Sequence, residues 1–302
     1  MAITLGPHQY GKAENRIVRI VRDTARHEIT DVNVSTCLRG GFDDAHLTGD
    51  QATVLPTDTQ KQTAYAYAKT VGLNPIEDYA LALARHFVDD VEPVTGARIE
   101  IEEFAWERVI VDGTSHDHTW ARTGREVRTA AVTVDGAGED RIEHVIQGLK
   151  DLTLLKSTGS EFHGFLQDEY TVLAPTDDRI MATSLVASWR LAPGTGEDWN
   201  ALYASVAGIL AAVFATHHSL ALQQTLFEMG RAVLEAHESV VEIRLSAPNK
   251  HHFDYDLGRF GIENRGEVFH ADDRPYGLIQ ASVVRDEFPP APLAWEKYSG
   301  LV

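Results

Sequence analysis

The sequence predicts an α+β protein of two tandem halves, each ordered β-β-α-α-β-β, and three observations carry that prediction. Strand-like and helix-like segments follow one another in the same order twice along the chain. A turn-rich break at Asp135, Gly136, Ala137 and Gly138 separates the two runs. The 302 residues, 43% hydrophobic and 24% charged, suffice for two cores of ordinary size. Each half is therefore expected to form an antiparallel sheet with two helices on one face, over residues 1–136 and 137–302. No residue-level repeat relates the halves; only the order of elements is shared.

In the first half, residues 16–38 hold two apolar runs separated by Asp23, Thr24, Arg26 and His27. Val32, Val34, Thr36 and Leu38 alternate with polar neighbours, so the segment reads as a strand pair. Pro56 to Val71, rich in Ala, Lys and Gln, reads as a helix. Asn74 and Pro75 open a second one, in which Ile76, Tyr79, Leu83 and Phe87 share a face. Ile99 and Ile101 alternate with Arg98, Glu100 and Glu102, and a β-rich stretch from Thr119 to Val134 closes the half. In the second half, Arg141–Leu155 and Met181–Leu191 read as strands, and Asp198–Thr216 and Ser219–His237 as helices. Val241–Leu245 and Leu278–Val284 read as strands again. Leu222, Leu226, Met229 and Val233 form an apolar stripe on the last helix.

The formal net charge of −18 and sequence pI near 5.1 disfavour a phosphate-neutralising surface, so neither nucleic acid nor an anionic membrane is an expected partner. The single cysteine, Cys37, rules out an intrachain disulfide and a multi-cysteine zinc site, and is expected to be a small buried hydrophobe. The start of the chain lacks a basic stretch followed by an apolar one, so a cytoplasmic protein is expected. Tyr203 to Ala215, the most apolar stretch, is shorter than the roughly 20 residues of a membrane span and is expected to be a buried helix. The last residues do not form a peroxisomal address. No GxGxxG fingerprint occurs, so neither NAD nor flavin is indicated. The 14 histidines include His116 with His118, His217 with His218, and His251 with His252, but no cysteine or glutamate set stands at zinc-like spacing beside them.

Four segments stand out. They are YGK at Tyr10, Gly11 and Lys12; GDQATVLPTDTQKQTAY from Gly49 to Tyr65; FHGFLQDEYTVL from Phe162 to Leu173, with Arg179 beyond it; and PNKHHF from Pro248 to Phe253. Taken singly, their residues have ordinary structural readings. Thr57 with Gln60 three residues later fits a capping box. Lys12 beside a strand reads as a solvated lysine, and Phe162 as a core aromatic. Arg179 after Asp177 and Asp178 reads as part of a weak surface ion pair, and Gln223 as an exposed polar residue at a helix start.

Taken jointly, in this order and spacing, the segments resemble the urate oxidase family, bacterial members included. The resemblance implies two tandem tunnelling-fold domains in a homotetramer with active sites at subunit interfaces. It also implies the oxidation of urate by O2 and water to 5-hydroxyisourate and hydrogen peroxide, with no metal or organic cofactor. Lys12, Thr57 and His251 match the family's proton relay, in which the lysine hydrogen-bonds the threonine. Thr57 and Asp58 match residues that reach into a neighbouring subunit's site. Arg179 matches the arginine at urate O2 and N3, Gln223 the glutamine at N1 and O6, and Phe162 the ring stacked on the purine. Leu222 matches a position whose backbone N–H meets the substrate, and Asn249 the asparagine that holds O2 or water above the ring. The residue types suit these tasks: a guanidinium offers two parallel donors, and an amide offers a donor beside an acceptor. His163 stands where fungal members often carry tryptophan, and Gln224 where they often carry alanine. Pterin-type tunnelling-fold hydrolases are the rival enzyme class, but they often use a Cys and His zinc site. A catalytically silent scaffold is the third reading.

Overall fold

The computed structural model describes residues 2–296. Its elements are β1 (Tyr10–Val21), β2 (Glu28–Gly40), α1 (Asp43–Leu47), α2 (Thr57–Thr70), α3 (Ile76–Asp90), β3 (Val94–Glu103), β4 (Trp106–Val111), β5 (Thr114–Arg122) and β6 (Val127–Asp135), followed by β7 (Ile142–Lys156), β8 (Met181–Leu191), α4 (Trp199–Thr216), α5 (Leu222–Ala236), β9 (Val240–Asp254), β10 (Phe269–Val284) and α6 (Pro292–Trp295). The second half follows the expected β-β-α-α-β-β order. The first half follows it with two insertions, α1 and the hairpin β4–β5.

That hairpin corrects the reading of Thr119–Val134 as one β-rich stretch. Residues up to Arg122 belong to β5 and pair with β4, whereas β6 begins at Val127 and pairs with β3. The turn between β4 and β5 is Asp112–Gly113, both at positive φ (50° and 78°), the conformation a tight hairpin needs. β9 and β10 also run well beyond Leu245 and below Leu278. Their ladder continues through Asn249, His251 and Asp254, polar residues that conceal a strand from a hydrophobic pattern.

The chain forms two compact units. One takes in the residues up to Gly148, Arg190–Asn200 and those from Pro289 onward; the other takes in Leu149–Trp189 and Ala201–Phe288. In the first unit β1, β2, β3 and β6 are successive antiparallel neighbours. Ile76, Tyr79, Leu83 and Phe87 of α3 are buried together with Val32, Val34, Ile99, Ile101 and Val132 of the sheet. Cys37 lies buried on β2, and burial pushes its thiol up to about 12. Gly11 of the YGK segment is required by a close strand approach: a Cβ there would stand 1.7 Å from the Thr36 carbonyl oxygen.

In the second unit the apolar stripe of α5 is buried at each expected position: Leu222, Leu226, Met229 and Val233. α4 narrows the expectation of a buried helix to one buried stripe. Only Leu202, Val206, Leu210 and Phe214, four residues apart on one stripe, are buried among its non-terminal residues, and Ala204, Ser205, Gly208, Ala212 and Ala215 face outward. The full helix has 18 residues and by length and composition alone is apolar enough to cross a membrane.

Candidate active site

In the second unit a long connection between β7 and β8, residues 157–180, is strapped to the chain just ahead of α5. Ser219 N–H donates to the Gly159 carbonyl (2.9 Å) and Glu161 N–H to the Ser219 carbonyl (2.7 Å). Phe162 and Thr176 then exchange two backbone hydrogen bonds of 2.8 and 2.9 Å, which brings the two arms of the strap side by side. Underneath, the Ser160 and Ser219 hydroxyls both lie against the Met181 sulfur, at 3.7 and 3.6 Å. Phe162, Arg179, Leu222 and Gln223 are thus all carried on segments fixed to one another by main-chain bonds.

Arg179 does not pair with its acidic neighbours. The Asp178 carboxylate is already engaged, accepting from the Thr158 hydroxyl (2.7 Å) and the Gly159 N–H (2.8 Å), and these bonds, the Thr158 one first, hold its pKa down. The guanidinium instead lies over the Phe162 ring, 5.0 Å from its centroid, with Nε buried and without a hydrogen-bond partner. Burial pulls the Arg179 pKa below its usual value, yet the group remains a cation. A buried donor with no acceptor is costly unless something supplies one, so this cation is prepared for an anion. Phe162 is only partly buried, which corrects its reading as a core side chain, and it stacks on Phe165 at 5.0 Å and 13°. Gln223 is exposed in the first turn of α5, directly after Leu222, where backbone N–H groups are free of helical partners. Gln224 reaches back from that turn and accepts from the Leu220 N–H (3.2 Å), ahead of the N-cap Ala221.

Asn249 and His251 extend the row on β9 that buries Ile243, Leu245 and Ala247, because alternate residues of a strand share a face. Both are partly exposed. Burial first, and the Arg179 charge second, hold the His251 pKa below that of a free imidazole. His251 is therefore neutral at physiological pH and able to accept a proton.

Lys12, Thr57 and Asp58 belong to the first unit. Tyr10 donates to the Leu55 carbonyl (2.9 Å), and the Thr36 hydroxyl to Gln60 Oε1 (2.8 Å), which ties the start of α2 to β1 and β2. Lys12 follows Tyr10 on the same face of β1, at the edge of a bulge between Lys12 and Asn15. Its charge reaches Asp58, whose carboxyl is held low mainly by a hydrogen bond from Lys61. The capping-box reading of Thr57 is corrected. Pro56 is the N-cap, Thr57 is the first helical residue, and no side chain caps the helix. Gln60 is spent on Thr36 and Leu55, so the Thr57 hydroxyl has no bond to a cap. No hydrogen bond joins Lys12 Nζ to Thr57 among the described residues; the two share a neighbourhood rather than a contact.

Among the described residues one group has metal-ligand geometry: Glu161, His163 and Asp177, whose ligand atoms lie within 4.8 Å of one another. None of the three histidine pairs noted in the sequence forms such a group.

Antiparallel strands backed by helices in both halves, with a cation set over an aromatic face, define a tandem tunnelling-fold protein. Comparison with known proteins narrows this class. The uricase family profile matches residues 8–133 and 145–280, one stretch in each half, and the chain belongs to that family. It is 50% identical over 285 residues to the uricase of Arthrobacter globiformis, covering 94% of this chain and 91% of that protein. It is 34% identical over 302 residues to the uricase of Cyberlindnera jadinii, covering 95% and 99% respectively. The crystal structure of the Arthrobacter globiformis uricase superposes with a TM-score of 0.90 at 49% identity, over 96% of this chain and 98% of that one.

Proposed function

We propose that this chain oxidises urate with O2 and water to 5-hydroxyisourate and hydrogen peroxide, using no metal or organic cofactor. The observation that carries the reading is Arg179: a partly buried cation over the Phe162 ring, with a donor that no protein group satisfies. Urate is flat and anionic, and its edge accepts two parallel hydrogen bonds from a guanidinium. Gln223 grips the opposite edge, Phe162 stacks on the purine face, and the Leu222 N–H adds a backbone contact. Asn249 holds O2, and later water, above the ring.

In this reading the substrate supplies both electrons. Urate gives two electrons to O2, which takes up two protons and leaves as peroxide, and the oxygen of water becomes the new hydroxyl of the product. The protein binds the anion, moves protons and positions oxygen. Neutral His251 accepts a proton, and Lys12 and Thr57 pass it on. Lys12 lies within electrostatic reach of Asp58, so Lys12, Thr57 and Asp58 travel as one group.

We assign that group to the neighbouring subunit's site in a homotetramer. Leu166, Tyr170 and Val172 of the strap are strongly exposed apolar or aromatic side chains, as expected of a surface that another subunit covers. A cytoplasmic setting accords with a lone, unpaired cysteine.

The test is loss of urate ultraviolet absorbance together with oxygen uptake in chelated buffer. Thr57→Ala and Arg179→Ala variants, each nearly inactive alone, are then unfolded and refolded together. Shared sites predict recovery of up to about half the wild-type rate per chain, since every intact pocket is accompanied by a doubly damaged one. Confirmed mixed assemblies with no more activity than the two variants separately would confine Thr57 and Arg179 to the same chain's site.

A further inference from the structure

We propose that Glu161, His163 and Asp177 bind one divalent transition cation of the zinc class, and that its binding slows urate turnover. The turnover half of this statement rests on the urate reading; the binding half does not. Phe162 and Thr176 face each other as an antiparallel pair, so their neighbours Glu161 and Asp177 also stand opposite one another. Two carboxylates in that position repel. Asp177 has no ion pair or hydrogen bond among the described residues that would offset this, and the nearby Arg179 is turned to Phe162. His163 follows Glu161 by two residues and reaches its Oε2 through Nε2 at 2.7 Å. His218 Nε2 holds the other oxygen, Oε1, and so fixes the carboxylate plane.

One imidazole and two carboxylates form a nitrogen and oxygen donor set suited to zinc, with a fourth position left for water. Three donors already within 4.8 Å of one another, on arms fixed by main-chain bonds, lose little freedom on binding.

The coupling to turnover is geometric. Tetrahedral bonds of about 2.1 Å put ligand atoms roughly 3.4 Å apart, wider than the 2.7 Å that now separates His163 Nε2 from Glu161 Oε2. A cation between them opens the His163–Glu161 contact to that spacing and fixes Asp177 at the same distance from both. Arg179 lies two residues beyond Asp177 and Phe162 lies between Glu161 and His163, so both substrate contacts shift with the ligands.

The experiment titrates zinc chloride into EDTA-treated full-length protein by calorimetry, then repeats the urate assay at each zinc concentration. Wild type is expected to bind one zinc per chain and to lose at least half its turnover at saturation. His163→Gln and Asp177→Asn, both changes at exposed positions, are each expected to bind at least tenfold more weakly, to resist zinc, and to keep near-wild-type turnover without it. Absence of stoichiometric binding, or equal affinity in both variants, would overturn the site. Unchanged turnover in zinc-saturated wild type would overturn the coupling. Zinc binding as expected by a chain that does not oxidise urate in metal-free buffer would overturn the coupling together with the urate reading.

Discussion

The residues around Arg179 and those around Thr57 are prepared to different degrees. Phe162, Arg179, Leu222 and Gln223 sit on segments clamped by four backbone hydrogen bonds, and the Arg179 cation is already partly desolvated. Lys12, Thr57 and Asp58 sit at the rim of the first unit, where α2 starts without a side-chain cap and Asp58 is exposed. A site that recognises a rigid anion gains from donors fixed in advance. Proton-moving groups need only short contacts once substrate and neighbour are present, and catalytic hydrogen bonds commonly tighten only in the complex. The contrast predicts that damage to the clamped region acts on substrate binding and damage to the rim acts on turnover.

The largest effect is expected from Arg179→Ala. Loss of a charged, paired hydrogen bond to an anion should weaken urate or a purine inhibitor by about 2–5 kcal/mol. Anaerobic titration measures this, and unchanged affinity would remove Arg179 from the pocket. Next comes Gly11→Ala. The added methyl collides with the Thr36 backbone, so β1 must shift and carry Lys12 with it, at about 1–3 kcal/mol of stability. Thermal melts and the kcat to KM split should show a less stable protein whose kcat falls more than its substrate affinity. Equal loss of both would erase the contrast between the regions.

A moderate effect is expected from pH. Burial and Arg179 depress the His251 pKa, and a base of depressed pKa is neutral above that value and charged below it. The acid limb of kcat/KM should therefore fall below the ordinary imidazole value of about 6.5. His251 also contributes a loss of stability as pH drops from that value through its folded one. An acid limb above 6.5 that persists in His251→Gln would exclude His251 from the relay. Asp178→Asn should be milder, raising KM roughly threefold with little change in kcat, because one anchor of the strap weakens while the others remain. Exhaustive EDTA dialysis should leave turnover unaltered; loss restored by one metal would overturn the cofactor-free reading.

The order of elements is legible because each core-facing stripe keeps its period, as in Tyr79, Leu83 and Phe87 or Leu226, Met229 and Val233. The β4–β5 hairpin escapes the pattern although Asp112–Gly113 is a strong turn signal, because Val109, Ile110 and Val111 of β4 run without alternation and β5 is polar up to Thr119. The far ends of β9 and β10 escape it because Asn249, Lys250 and His251 break the apolar alternation and the ladder resumes only past a register shift between Asp272 and Gly277. Site residues are nameable only through the family resemblance that the four motifs carry jointly, and Leu222 and Gln223, outside those motifs, only through it. That Arg179 is free of Asp178 depends on Thr158, twenty residues before that aspartate, and no local pattern encodes such a contact. Thr57 shows the reverse case: Thr and Gln at capping-box spacing are present, but Pro56 takes the cap and Gln60 faces inward to Thr36.

Cys37 has a bearing on durability. The chemistry proposed for this chain releases one oxidant molecule for each urate consumed, and a protein thiol is attacked by peroxide through its thiolate. With its thiol buried on β2 and pushed up to about 12, Cys37 holds almost no thiolate at neutral pH. The enzyme's only cysteine is thus chemically silent toward the product it makes, and inactivation during long turnover should begin at other side chains.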